Sequence, residues 1–259
     1  MIKSVHDYLM AILPYQQRAL AQIHRFGTDR PGILFRGKRK SQLLRAKIAG
    51  ISKDLIRPIA FERERLSLLR RRLGLGNSYT DWDIITLAQH HGIATRFIDW
   101  SSNSLVALWF SIGNACNSYE ESDASEVYLL ETVESDFDVP ETEMSPIPAE
   151  KGSKTVIFTP KLIDCRIGAQ DGYLMRQIYE GTSSNLYMRP IDENPTFSER
   201  VHKIHVTRSD VIRNKLRDEL SKYGYNQSSM MPDDKDWQTL RNECDKLSRF
   251  FKSDIQEDK

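Results

Sequence analysis

An arginine at the end of a buried strand is a ready grip for an anion, and Arg36 stands in that place. Gly32-Ile33-Leu34-Phe35 reads as a short apolar strand that delivers Arg36 and Gly37 at its carboxyl end. The guanidinium offers a planar two-donor fork to phosphate or carboxylate, and Gly37 lets a ligand approach the backbone. The competing role for Arg36 is a structural salt bridge to Asp99 or to a helix-end carbonyl. Gln89 and His90 end a helix and can project over the loop that follows. His90 titrates near neutrality, which suits a general acid or base; its other role is that of a hydrogen-bonding spacer. Asp99 can orient Arg36 or Arg96, hold a ribose hydroxyl, or serve in capping or an ion pair. Trp100 is either a stacking platform for a base or a core wedge. Gln170 opens a strand after a polar loop, where an amide positions a substrate without ionising. All of these flank segments that must be buried, so scattering them would leave several unpaired in the core. Arg36, Gln89, His90, Asp99 and Gln170 are expected to meet in one cleft.

Most of the elements that must hold them lie within residues 84–111. Ile84, Leu87, Ala88 and His91 recur at helical spacing. Gly92 follows where a helix takes a left-handed residue after its last turn. Thr95-Arg96-Phe97-Ile98 reads as a strand with the polar tail Asp99–Asn103. The Ser/Ser/Asn cluster then offers caps for an apolar helix, Ser104–Phe110.

This stretch resembles the signature of the FRG domain, a bacterial and phage-borne family. Gln89, His90, Gly92, Thr95, Arg96, Asp99, Trp100, Ala107 and Leu108 match its pattern, and Phe35-Arg36-Gly37 is the name-giving motif. Gln170-Asp171-Gly172-Tyr173 is similar to a third, weaker motif. The sequence departs at His91, where the family has Tyr, and at Ala94, where it has Pro. The resemblance covers about residues 30–240 and implies a single FRG-type domain over 1–259. It also implies a bacterial or phage setting, with a part in phage defence or a toxin–antitoxin pair.

Composition bounds the rest. The chain has 259 residues, enough to bury a sizeable core, with 37 Lys and Arg against 36 Asp and Glu. A balanced charge argues against a dedicated nucleic-acid coat or membrane-surface protein, though it leaves room for a local basic patch such as Lys38-Arg39-Lys40. The bland reading of those three is a solvated turn. Cys116, Cys165 and Cys244 share no CxxC spacing, as befits a reducing compartment. With no signal-peptide profile and no spanning apolar run, a soluble cytoplasmic protein without a membrane partner is expected. No metal-ligand set is read: His202 and His205 lie three apart on a strand and face opposite ways.

Along the chain, residues 4–26 read as two short helices broken at Pro14. Residues 59–73 read as one helix whose charges, Glu62 among them, line a wet face; inward reach of Glu62 or Glu64 toward Arg36 is the alternative. Residues 131–154 are acidic, hold three prolines and lack a period, so a mobile surface loop is expected. Strands follow near 154–159, 171–179 and 201–207, then helices over 209–223 and 234–251. The class is α+β: helical terminal segments and a small sheet of non-contiguous strands flanked by helices.

An early Arg, a central polar strand–helix junction and a late Gln follow the order used by mono-ADP-ribosyltransferases, which makes NAD the expected cofactor. Against that layout, no Glu-x-Glu pair stands at Gln170. The first expectation is a NAD- or nucleotide-binding enzyme of ADP-ribosyltransferase type. The second is a non-catalytic module that reads a nucleotide, a nucleic acid or a protein through the same cleft.

Overall fold

The computed structural model describes residues 2–26, 30–40, 42–52, 57–74, 79–113, 124–137, 145–147, 154–182 and 185–231. In chain order the elements are α1 (Val5–Phe26), β1 (Ile33–Lys38), α2 (Ile48–Ser52), α3 (Pro58–Leu73), α4 (Asp81–His90), β2 (Phe97–Ser101), α5 (Ser104–Ile112) and β3 (Ser125–Glu131). Then come β4 (Val156–Phe158), α6 (Cys165–Ala169), β5 (Gly172–Arg176), β6 (Glu180–Thr182), β7 (Asn185–Tyr187), β8 (Val201–Thr207), α7 (Asp210–Lys222) and α8 (Gln227–Met230). The class is α+β, as expected. No described helix is long and apolar enough to cross a membrane.

Six strands form one antiparallel sheet in the order β4-β5-β2-β1-β3-β8, while β6 and β7 pair only with each other. β1 and β3 share six register pairs and β2 and β5 share five. Between β1 and β2, at the centre of the sheet, there is one, Phe35 with Ser101. Past that pair the two strands part, and the gap between them is where the site lies.

One face of the sheet packs Phe35, Val127, Leu129 and Val206 against α1, α5 and α7. The other sets Leu34, Ile98, Trp100, Tyr128 and Met175 against Ala46, Ile48, Phe61 and Ile191. A third cluster joins Phe97, Phe158 and Leu174 to Trp82, Ile85 and Leu69 of α3 and α4. Gly37 is where β1 runs into α5: a β-carbon there would sit 1.9 Å from the Ala107 carbonyl oxygen. The glycine serves the helix, and the space read as a ligand's approach is filled by helix backbone.

Three further expectations change. Residues 5–26 form one helix that runs through Pro14. Proline inside a helix costs about 3 kcal/mol, yet Val5, Tyr8, Ile12 and Ala19 are buried on both sides of it. Each large apolar side chain so buried returns roughly 1.5–3 kcal/mol, and packing wins. Glu62 and Arg65 are buried, so this helix's charges do not all face water. Glu62 points neither at solvent nor at Arg36; it grips Arg96 through two hydrogen bonds of 2.7 and 3.0 Å. In 131–154, Asp136 pairs with Arg200 and Phe137 is buried and bridges Ile157. Residues 138–144 and 148–153 lie outside the described residues, as does the expected helix 234–251.

Candidate functional site

The start of β2 shows how the site is assembled. α4 stops at His90; Gly92 takes a left-handed φ of 81°, and the Ile93 amide donates to the Ala88 carbonyl. That tight reversal returns the chain to the sheet, with Thr95 opposite the end of the helix it has just left. Thr95 Oγ1 donates to Gln89 Oε1 at 2.6 Å and accepts from the Phe97 amide at 3.1 Å. With its oxygen thus held, Gln89 can present only its amide nitrogen, which donates to Asp99 Oδ2 at 2.7 Å. Arg36 completes the chain of contacts. Its Nη1 donates to the Asp99 carbonyl and lies 3.4 Å from Asp99 Oδ2. Of the roles weighed for Asp99, the contact with Arg36 is the one seen; its other carboxylate oxygen, Oδ1, is shielded and has no partner among the described residues. Arg96 points away, toward Glu62.

Asn103 caps α5, accepting the amides of Leu105 and Val106. Ser101 Oγ donates to the Gln170 carbonyl at 2.7 Å and so joins β2 to the segment before β5. Gln170 does not open a strand. It caps α6, a helix of five residues, and its side-chain nitrogen donates to the Met230 carbonyl at 2.8 Å. Asp171 next to it holds a φ of 44°, an uncommon left-handed value that aspartate tolerates.

These elements surround a cleft of about 350 Å³, lined by all six residues singled out from sequence: Arg36, Gln89, His90, Asp99, Trp100 and Gln170. Arg36 and Gln170 are 134 positions apart in the chain. Trp100 is 2% exposed and mostly committed to the core, with its indole nitrogen unpartnered among the described residues. Four cations also line the cleft: Arg39, Lys47 and Arg166 in addition to Arg36. Residues 70–72 do not, and Arg70 is spent on Asp81 at 2.6 Å.

Arg166 and His91 escaped the sequence reading. Asp164 caps α6 through the Arg166 amide and binds His91 Nε2 at 2.7 Å, and Arg166 Nη1 donates to the His90 carbonyl at 2.9 Å. A five-residue helix carries no periodicity that could have announced Arg166, and His91, read only as a departure from the family's Tyr, finds its partner Asp164 73 positions later. Thr95 was visible in the signature, but its role as the fixer of Gln89 needs the reversal at Gly92. Among the described residues no cluster of His, Cys, Asp or Glu is placed to hold a metal.

His90 Nε2 is shielded and unpartnered among the described residues. Burial pushes the ring below its ordinary value, against the pull of Asp99 and Asp164 and with help from Arg166. The imidazole is therefore neutral at pH 7, able to accept or donate one hydrogen bond. The unfolded chain takes up this proton near pH 6.5 and the folded protein only at lower pH. Stability should therefore fall as pH drops through about 6.5 and recover toward neutrality. Melting temperatures of the parent and His90→Gln between roughly pH 5 and 7 check this, since the variant's profile should be flatter. Parallel profiles would mean that His90 does not contribute.

Residues 31–120 match the family model described as the FRG domain. That span carries Arg36, Gln89, His90, Asp99 and Trp100, while Gln170 lies beyond it. Comparison with curated proteins and with solved structures finds no match to the chain.

Proposed function

We propose that this chain, which carries an FRG domain, binds NAD or a related nucleotide between β1 and β2 as an enzyme of ADP-ribosyltransferase type. The observation that carries the reading is the cleft's makeup: four cations and one fixed carboxylate around about 350 Å³, a volume in the range of small-molecule sites. In this reading Arg36 exchanges the Asp99 carbonyl for a phosphate, gaining a charge-assisted pair of bonds. Asp99, held by Gln89, keeps Oδ1 for a ribose hydroxyl, and neutral His90 hydrogen-bonds without adding charge. Layout supports it as well, with an Arg on β1, a polar β2–α5 junction and a Gln before β5. A part in phage defence or a toxin–antitoxin pair belongs to the same proposal.

One observation favours a second reading, a binding module without turnover. The Gln170 amide nitrogen is already engaged by Met230, and among the described residues no glutamate lines the cleft.

Calorimetric titration with NAD, beside detection of released nicotinamide by NMR, separates the two. Arg36→Ala should weaken binding about 10- to 100-fold, the worth of a hydrogen bond to a charged group. Its melting temperature should barely move, because the ion pair with Asp99 is long and partly exposed. Arg36→Lys should lose nearly as much, since an ammonium lacks the planar fork. Binding without nicotinamide release selects the module. An Arg36→Ala protein that binds NAD as well as the parent would end the case for an anion grip.

A further inference from the structure

Residues 36–47 hold six cations, Arg36, Lys38, Arg39, Lys40, Arg45 and Lys47, and no acidic residue occurs between Arg30 and Asp54. In a chain of net charge +1 this is a local excess of one sign, and the structure shows how it is displayed. Leu44, Ala46 and Ile48 are buried while Leu43 and Lys47 are exposed and Arg45 is half-buried, so the bends at 44–45 and the turn into α2 seat the apolar side chains and leave the basic ones outward. The segment is fixed at three points. The Ala46 amide donates to Gln177 Oε1, Ile48 to the Thr95 carbonyl, and Ile191 to the Leu44 carbonyl. Lys38 closes the preceding turn by donating to the carbonyls of Gln42 and Leu43 at 2.7 and 2.8 Å. Burial first, and the nearby Arg36 second, push this lysine down to about 8 against the pull of Glu126 and Asp192.

The side chains of Arg39, Arg45 and Lys47 have no hydrogen bond or ion pair among the described residues. Elsewhere arginines such as Arg70, Arg96, Arg189 and Arg200 are paired. Arg39 and Lys47 also line the cleft, where Phe110 offers an aromatic ring.

We propose that residues 38–40 and 42–47 form a basic ridge that docks the backbone of single-stranded nucleic acid and leads one nucleotide toward the cleft. Unpaired cations beside an aromatic ring are the makings of a single-strand track. A cleft of about 350 Å³ admits one nucleotide and excludes a duplex. The proposal does not depend on NAD being the ligand.

The test is fluorescence anisotropy of the full chain with labelled single-stranded DNA and RNA oligonucleotides over a series of salt concentrations. Duplex DNA and polyglutamate serve as competitors. Single strands should bind more tightly than either competitor, with log affinity falling linearly in log salt. The triple variant Arg39→Ala/Arg45→Ala/Lys47→Ala should lose about two units of slope, roughly 0.7 per phosphate contact, and at least tenfold in affinity at low salt. The double variant Arg39→Lys/Arg45→Lys, with Lys47 kept, should retain the slope, because a phosphate track needs charge rather than a fork. Equal competition by polyglutamate would overturn the proposal in favour of an acidic protein partner, and tighter duplex binding would overturn the single-strand assignment. No binding, or an unchanged slope in a folded triple alanine variant, would overturn it altogether. A parallel NAD titration keeps the two readings apart: oligonucleotide binding with no NAD signal leaves the ridge standing alone.

Discussion

Arg96→Met should cost the folded state about 3–5 kcal/mol. Arg96 and Glu62 are 1% and 4% exposed and meet through two hydrogen bonds, and the guanidinium also faces the Tyr179 ring 5.6 Å away. Removing the arginine leaves the Glu62 carboxylate desolvated and unpaired inside the α3–β2 contact, which is the expensive outcome for a buried pair. The double variant Glu62→Met/Arg96→Met removes both charges at similar volume and should recover most of the loss, since apolar replacement of a buried pair is often neutral or better. Urea unfolding of the two single variants and the double one gives the coupling energy directly. Additive losses would show the pair to be energetically idle. The wider point is that the signature's Thr95-Arg96 does two jobs, Thr95 serving the cleft and Arg96 the architecture.

Gly37→Ala carries the second large effect. The added carbon would lie 1.9 Å from the Ala107 oxygen and 2.6 Å from the Ser111 nitrogen. Both are backbone atoms of α5, so no flexible side chain can yield. Overpacking costs about 1–3 kcal/mol and occasionally more, and two backbone contacts place this substitution at the top of that range. A loss near 3 kcal/mol lowers the melting temperature by roughly 6–12 °C in a chain of this size. Because β1 must retreat from α5, Arg36 moves too, so ligand affinity should fall together with stability. That coupling distinguishes Gly37→Ala from Arg36→Ala, whose stability should stay near the parent's. A Gly37→Ala protein that melts like the parent would mean that β1 and α5 are not held as tightly as described.

What the sequence made legible is what local rules govern. The helix ending at His90, the left-handed Gly92, the Asn103 cap and α5 follow from spacing and cap chemistry within a few residues of each other, whereas the strand read over 95–98 lies at Phe97–Ser101 and so includes Asp99, Trp100 and Ser101, the residues that read as its polar tail. The convergence of Arg36 with Asp99 also followed, because polar groups beside buried strands need partners. What it hid depends on contacts remote in the chain. Glu62 looked solvated because Arg96, its partner, comes 34 positions later. Pro14 looked like a break because the side chains that outweigh it pack on strands much further along. Gln170 was placed on a strand because α6 is too short to show a period. Gly37 was assigned to a ligand because nothing local to it reveals a helix passing overhead.

The single register pair between β1 and β2 has a mechanical meaning. A sheet resists bending through its ladder bonds, and here the contacts on either side of the centre share five and six register pairs while the central one has one. The layer is therefore two three-stranded plates, β4-β5-β2 and β1-β3-β8, joined at a seam of low stiffness. Force applied at the seam turns one plate against the other before it ruptures either ladder. Arg36 stands on one plate and Asp99 on the other, so the contact between them spans the seam, and a ligand that takes Arg36 would act on the line where the two plates meet.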